Sequence, residues 1–200
     1  MMRMRKGAAT REAIVDRALD QAVALGLEGL SLGPLAESLE LSKSGLFAHF
    51  KSKEALQLAV LNEAVERFRV RIIEPSLALP RGRVRMEAMV SRWLDWMEGE
   101  PDMRGCLFVV SCQEYDERPG AIRDRLVASQ KEWHETLARV AADLPKAGKA
   151  PADYCRQVVF ELVGVSLAYQ QHAKLFRAPN ARARAEEAVS RILDDAEQAA

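Results

Sequence analysis

The sequence predicts an all-α protein, and three features carry that prediction. Apolar residues recur at alternating steps of three and four, no segment alternates apolar and polar residues long enough to form a strand, and proline or glycine punctuates successive helical stretches. About nine helices are expected, with no internal repeat and no low-complexity segment.

The first helix is expected from Thr10, its cap, to Leu25, with Ile14, Ala18, Ala22 and Leu25 inward and Gly26 ending it. The basic MMRMRK start reads as a disordered arm. Residues 31–56 then read as two short helices meeting at a tight corner. Leu32, Leu35, Ala36 and Leu39 give the first of them an apolar face, and Pro34 sits early enough to be tolerated. Glu40-Leu41 forms the corner, and Ser42 caps the next helix, which turns Leu46 and Phe50 inward and leaves Lys43, Ser44, Phe47 and His49 outside. Ser52 caps a long helix with Leu58, Leu61, Val65, Phe68 and Ile72 on one side, stopped by Pro75; at the standard rise it spans roughly 33 Å. Further helices are expected over about 84–98, 104–115, 121–144, 152–175 and 181–198, separated by Glu100-Pro101-Asp102, Pro119-Gly120, residues 145–151 and Pro179.

A short helix braced by another at a tight corner, with polar side chains facing out, is the layout of a helix-turn-helix. These residues carry a family resemblance. Leu35-Ala36, Ser42-Lys43-Ser44-Gly45-Leu46-Phe47, His49-Phe50 and Ser52-Lys53-Glu54 with Leu56 resemble the DNA-binding end of the TetR family of bacterial transcription regulators. Thr10-Arg11-Glu12 with Ile14, Ala18 and Gly26 resembles that family's first helix, so the resemblance covers roughly residues 8 to 60. Gly105-Cys106 and Glu114-Tyr115-Asp116-x-Arg118-Pro119-Gly120 resemble one subgroup of it. Two positions depart from the pattern. Glu40 stands where the family usually has glycine, at a cost of about 1 kcal/mol if the corner is left-handed. Phe47 stands where a tyrosine hydroxyl usually reaches a phosphate.

The division expected is a DNA-binding domain over 1–52 and a ligand-sensing, dimerising domain over 53–200, with the fourth helix shared at the boundary. Lys43 and Ser44 are candidates for base edges, while Ser42, His49, Lys51, Lys53, Thr10, Arg11 and Ser31 are candidates for phosphates, with Phe47 beside them. Formal net charge is zero, and residues 1–53 carry eight Lys/Arg against six Asp/Glu. DNA affinity must therefore come from a few placed contacts and from pairing of two chains on a palindromic operator.

In the second part, Met89, Trp93, Trp96, Phe108, Cys112, Tyr115, Trp133, Phe160 and Tyr169 are candidates to line an apolar pocket for a small-molecule effector. The helix over 152–175 is apolar around most of its circumference and needs more than one neighbour. A homodimer interface is expected there, with Val158, Leu162, Gly164, Val165 and Ala168, joined by Ile192 of the last helix; the resemblance implies the same four-helix arrangement.

No phosphate-binding glycine loop, Gly-x-Ser-x-Gly elbow or His-Glu-x-x-His pair is present, so no catalytic residue, metal ligand or cofactor is expected. No apolar run reaches membrane-spanning length and the start lacks a signal peptide's apolar core, which points to the cytoplasm. Three cysteines without a Cys-x-x-Cys pair agree with reduced thiols. Two alternatives share the scaffold: a regulator that senses oxidation through Cys106, and a helical interaction protein that has lost DNA binding.

Overall fold

The computed structural model describes residues 2–99, 106–146 and 148–199, with side chains from residue 9 onward. Among them every regular element is helical. They are α1 (Met2–Leu25), α2 (Leu32–Ser38), α3 (Lys43–His49), α4 (Lys53–Phe68), a π-helical stretch (Arg69–Ile73), α5 (Glu74–Leu77), α6 (Arg83–Glu98), α7 (Leu107–Tyr115), α8 (Ala121–Ala141), α9 (Ala152–Gln170), a second π-helical stretch (Gln171–Leu175) and α10 (Ala181–Gln198). The break expected at Glu100-Pro101-Asp102 lies outside the described residues.

The chain forms two compact units. The first runs to Arg67 and also takes in α7 and α8 as far as Ala128; the second holds Phe68 onward through α6, and Ser129 to the C-terminus. The unit that contains residues 1–52 is thus larger than a helix-turn-helix alone. The division falls within two continuous helical runs of the chain, residues 53–77 (α4, the π-helical stretch and α5, together the α4 rod) and α8.

In the first unit, Ile14, Val15, Ala18, Leu19 and Ala22 form the buried stripe of α1. Two expectations about α1 need correction. The N-terminal residues are helical from Met2, so Thr10 sits inside the helix; Met, Arg, Lys and Ala are strong helix formers, opposed here only by Gly7. Leu25 is 63% exposed, because Gly26 turns left-handed (φ 79°) and hands the inward position to Leu27.

In the second unit, Pro75 does not end the α4 rod, which continues to Leu77. A proline inside an α-helix loses one backbone bond and crowds the carbonyl four residues back. The wider turn of Arg69–Ile73 lies just ahead of it, with the Glu74 N–H bonded to the Arg69 carbonyl.

The pairing of α6 with α10 shows a repeat that was not anticipated. At an offset of 99 residues, Arg83, Arg85, Glu87, Val90, Ser91, Arg92, Leu94, Asp95 and Glu98 match Arg182, Arg184, Glu186, Val189, Ser190, Arg191, Leu193, Asp194 and Glu197. The contacts repeat as well. Arg83 donates to Glu87 (2.6 Å), Ser190 (3.2 Å), Asp194 (2.5 Å) and Glu197 (3.4 Å). Arg182 donates to Glu186 (2.6 Å), Ser91 (3.1 Å), Asp95 (2.6 Å) and Glu98 (3.4 Å). Each arginine, at the start of its helix, clamps the end of the other, so the pair is antiparallel with an internal twofold. Val90, Leu94 and Val189 floor the groove at its centre.

Candidate nucleic-acid interface

The helix-turn-helix is built by local chemistry. Leu35 and Ala36 of α2 and Leu46 of α3 are fully buried, and small Ala36 lets the two helices cross closely. The corner between them requires a left-handed residue, and Glu40 adopts it at φ 53° without being glycine. Its neighbours close the turn, with the Leu41 N–H bonded to the Ala36 carbonyl at 2.9 Å. Ser42 caps α3 by accepting from the Gly45 N–H at 3.0 Å, and Ser52 caps α4 by accepting from Ala55 at 3.0 Å.

The outer surface of α3 is as the spacing predicts. Lys43, Ser44 and Phe47 are exposed, His49 is half-buried, Lys51 is exposed, and α3 itself carries no acidic residue. The Ser42 and Ser44 hydroxyls lie 3.0 Å apart. The end of the Lys43 side chain lies back over Gly33, whose missing Cβ would sit 3.6 Å from the lysine Cε. Ser31 precedes α2 in extended geometry and its hydroxyl makes no capping bond. Arg11 stacks its guanidinium 4.8 Å from the Phe50 ring, which ties α1 to the end of α3. Lys53 is engaged within the protein: its amine donates to the Glu28 carbonyl at 2.6 Å and lies 3.6 Å from the Glu28 carboxylate.

A buried network behind this surface fixes the α1–α2 turn. Glu114 of α7 accepts from the Leu27 N–H at 2.9 Å, and Gln57 of α4 donates to the Leu27 carbonyl at 2.7 Å. The Tyr115 hydroxyl donates to Glu28 at 2.6 Å and lies 3.3 Å from the Gln57 amide nitrogen. Burial, then the Glu28 carboxylate, pushes the Tyr115 hydroxyl above its ordinary range. The Tyr115 bond in turn is the main cause holding the Glu28 carboxyl below its ordinary value, with help from Lys53 and Arg118. Tyr115, expected to meet a ligand, spends its hydroxyl here on Glu28 and Gln57. Glu28, Gln57 and Glu114 were not singled out for any site. Their only signal in the sequence was the Glu114-Tyr115 motif, which names no partner.

Family models match most of this architecture. The model described as "Bacterial regulatory proteins, tetR family" matches residues 14–60, and the one described as "Tetracyclin repressor-like, C-terminal domain" matches residues 82–189. The chain belongs to the TetR family. It is a helix-turn-helix DNA-binding transcriptional regulator. Solved TetR structures share its fold. A TetR-family transcriptional regulator from Streptomyces coelicolor is 18% identical with a TM-score of 0.82, covering 95% of this chain and 97% of that one. One from Chloroflexus aurantiacus is 24% identical with a TM-score of 0.81, covering 98% of both. AibR, solved with isovaleryl coenzyme A and operator DNA, is 20% identical with a TM-score of 0.69, covering 93% of this chain and 97% of that one. A curated relative, the SecA translocase subunit of Roseiflexus, is 24% identical over 163 residues, and the chain spans only 14% of its length.

The second unit of this TetR-family chain gathers several candidate ligand residues and rejects one. Met89, Trp93, Trp96, Trp133 and Tyr169 are buried there. Trp96 and Trp133 pack edge-on against Phe68, with centroids at 5.5 and 4.9 Å, and Trp93 packs on Trp133 at 5.2 Å. The indole N–H groups of Trp96 and Trp133 are buried with no acceptor. Tyr169 donates to Glu98. Phe160 is 74% exposed, so it lines no interior pocket: it falls on the outer face of α9. Phe108 and Cys112 belong to the first unit with Tyr115; Phe108 is buried and Cys112 is exposed.

The candidate interface residues also divide. Val158 and Leu162 are 3% and 1% exposed, packed inside their own chain. Gly164 and Ala168 are exposed, and Val165 and Ile192 are half-buried. The free stripe of α9 is Phe160, Gly164, Leu167 and Ala168, continued by Leu175 at 70% exposure. A Cβ placed on Gly164 would meet nothing within 4 Å.

For the redox alternative, Cys106 is 4% exposed, and burial raises the thiol of Cys155. A raised thiol holds less of the reactive thiolate. Among the described residues, no cluster of His, Cys, Asp or Glu could hold a metal ion, and no helix is long and apolar enough to cross a membrane.

Proposed function

We propose that this TetR-family regulator works as a cytoplasmic homodimeric repressor that leaves a palindromic operator when a small, mainly apolar molecule occupies its second unit. The observation that carries the dimer is the free stripe of α9. Apolar side chains at 160, 167, 168 and 175 follow the helical period yet face solvent, and Gly164 leaves open space in their midst. A second copy of the chain covers that face and brings two α3 helices onto one duplex.

On the operator, Lys43 and Ser44 reach base edges. Ser31, Ser42, His49, Lys51, Thr10 and Arg11 hold phosphates, Phe47 makes apolar contact, and Lys53 joins them only by exchanging its Glu28 contacts for DNA. The two indole donors without acceptors support the sensing half. A buried N–H is costly when unpaired, and a ligand offering an oxygen acceptor to Trp96 or Trp133 would be favoured by pairing it. Such a ligand acts only if the DNA-bound and DNA-free conformations bind it with different affinity. AibR, whose structure holds both an acyl coenzyme A and operator DNA, is a fold relative in which both partner types occur together.

The test is a titration of the duplex upstream of the protein's own gene, with sedimentation to count chains. Two chains per duplex, with Lys43→Ala flattening the preference among operator variants by ~1–3 kcal/mol on the best site, is the expected result. A uniform loss across all duplexes would reassign Lys43 to the phosphate backbone.

A further inference from the structure

Cations are scarce on the DNA-reading head. Residues 1–53 carry eight Lys/Arg against six Asp/Glu, so one carboxylate that offsets a DNA-facing lysine changes the balance appreciably. Glu28 stands in that position toward Lys53, and every group around the pair belongs to the first unit.

Glu28 lies in the turn between α1 and α2, and Lys53 is the first residue of α4, four residues after α3 ends at His49. The Lys53 amine donates to the Glu28 backbone carbonyl at 2.6 Å, which uses one of its three N–H groups and fixes where it sits. The Glu28 carboxylate has a different effect. Its Oε2 lies 3.6 Å from the same amine, too far for a hydrogen bond, so it offsets the lysine charge and leaves the other two N–H groups for another acceptor.

The carboxylate is held from behind. Buried Tyr115 donates to its Oε1 at 2.6 Å, and the Arg118 guanidinium lies 3.6 Å from that oxygen. The Tyr115 hydroxyl is in turn 3.3 Å from the amide nitrogen of Gln57, which donates to the Leu27 carbonyl. One carboxylate oxygen is thus committed to α7 and the segment after it, and the other is turned to Lys53. An exposed ion pair is usually weak because two long side chains must be ordered to meet. Here the hydroxyl orders the carboxylate and the carbonyl orders the amine, so that cost is already met in the fold.

We propose that Glu28 is an internal rival of the DNA backbone for Lys53, an affinity-setting residue that weakens binding to every duplex and makes it less salt-dependent. This rests on the reading of Lys53 as a phosphate contact and names what limits that contact. A phosphate that reaches Lys53 shares it with a second anion, and the Glu28 charge repels the backbone beside it. Glu28→Gln removes the charge and keeps an oxygen for Tyr115, so it gives DNA the whole lysine charge in each chain on the duplex.

The experiment measures binding of the full-length protein to two dye-labelled duplexes, one from upstream of its own gene and one of unrelated sequence. Anisotropy is followed from about 50 to about 200 mM salt. Glu28→Gln should tighten both complexes by about two- to thirtyfold at the low-salt end when two chains bind. It should also steepen the dependence of log K on log salt by up to about 0.9 for each chain on the duplex. Lys53→Ala should weaken both complexes and flatten that dependence. In the double variant the gain from Glu28→Gln should fall to less than half, which a charge acting on the head as a whole would not produce. Glu28→Ala should shift affinity in the same direction, and it decides the matter if circular dichroism shows Glu28→Gln unfolded. The proposal is overturned if removing the Glu28 charge leaves affinity and salt dependence unchanged, weakens binding, or gains as much without Lys53. Lys53→Ala alone then tells which claim has failed. If it still weakens both complexes, Lys53 remains a phosphate contact and only the rivalry is refuted; if it changes nothing, the phosphate reading of Lys53 falls with it.

Discussion

Replacing Gly26 with alanine should break the α1–α2 turn in two separable ways. Gly26 holds φ 79°, a conformation that costs an L residue about 1–2 kcal/mol. The new Cβ would also stand 1.8 Å from the Glu114 carboxylate, which must swing away and leave the Leu27 N–H unpaired. An unsatisfied buried donor costs about 1–3 kcal/mol. The sum, roughly 2–5 kcal/mol, is a large share of the ~5–15 kcal/mol that holds a domain together. A double-mutant cycle with Glu114→Ala separates the terms, read by urea unfolding followed by far-ultraviolet circular dichroism. With Glu114 already gone, Gly26→Ala should cost only the backbone term, giving a coupling of about 1–3 kcal/mol. If the two substitutions add within about 0.5 kcal/mol, the close approach of Glu114 to Gly26 does not matter energetically and the reasoning fails.

Other expectations follow from single contacts. Glu40→Gly should stabilise the helix-turn-helix by about 0.5–1 kcal/mol, because it removes left-handed strain at φ 53° and returns part of the gain as unfolded-chain entropy; thermal unfolding checks it. The Glu28 carboxyl is held below its ordinary value, so it contributes stability that is present above its unfolded pKa near 4.5 and is lost as pH falls through the folded value. Glu28→Gln should flatten that part of the stability profile in pH-dependent urea melts, and an unchanged profile would place the titration elsewhere. Phe160→Glu should weaken self-association by roughly 10²–10⁴-fold in sedimentation, since each dimer loses two buried phenyl rings worth about 1.5–3 kcal/mol apiece. Arg83→Ala and Arg182→Ala, which break equivalent clamps, should lower stability equally to within about 0.5 kcal/mol.

What the sequence revealed tracks how local each determinant is. The helix-turn-helix was legible because its signals lie within a few residues: Ser42 and Ser52 cap their own helices, and Leu32, Leu35, Ala36 and Leu39 follow helical spacing. The corner at Glu40-Leu41 was legible too, while its left-handed turn at Glu40 was suggested only by the family's usual glycine there. The face of α9 was not. Val158, Phe160 and Leu162 are all apolar, so periodicity marked a helix with two neighbours but could not say that Val158 and Leu162 turn inward and Phe160 outward. Pro75 misled because a π-helical turn relieves the clash that normally ends a helix, and nothing in Arg69–Ile73 announces one. The network around Leu27 joins residues 87 apart in sequence, beyond the reach of any local pattern. The match of α6 to α10 was present in the sequence throughout. It is visible once Arg83 and Arg182 are seen making the same bonds.

The account stands or falls on whether two copies of α3 read DNA together. The direct measurement is selection of the full-length protein against a pool of random duplexes, followed by sequencing of the retained DNA. The expected result is an inverted repeat whose half-site centres are one helical turn, about 34–36 Å, or a multiple of it apart, lost as a repeat when Phe160→Glu is used instead. Retention of duplexes with no shared sequence, equally by wild type and Phe160→Glu, would contradict it.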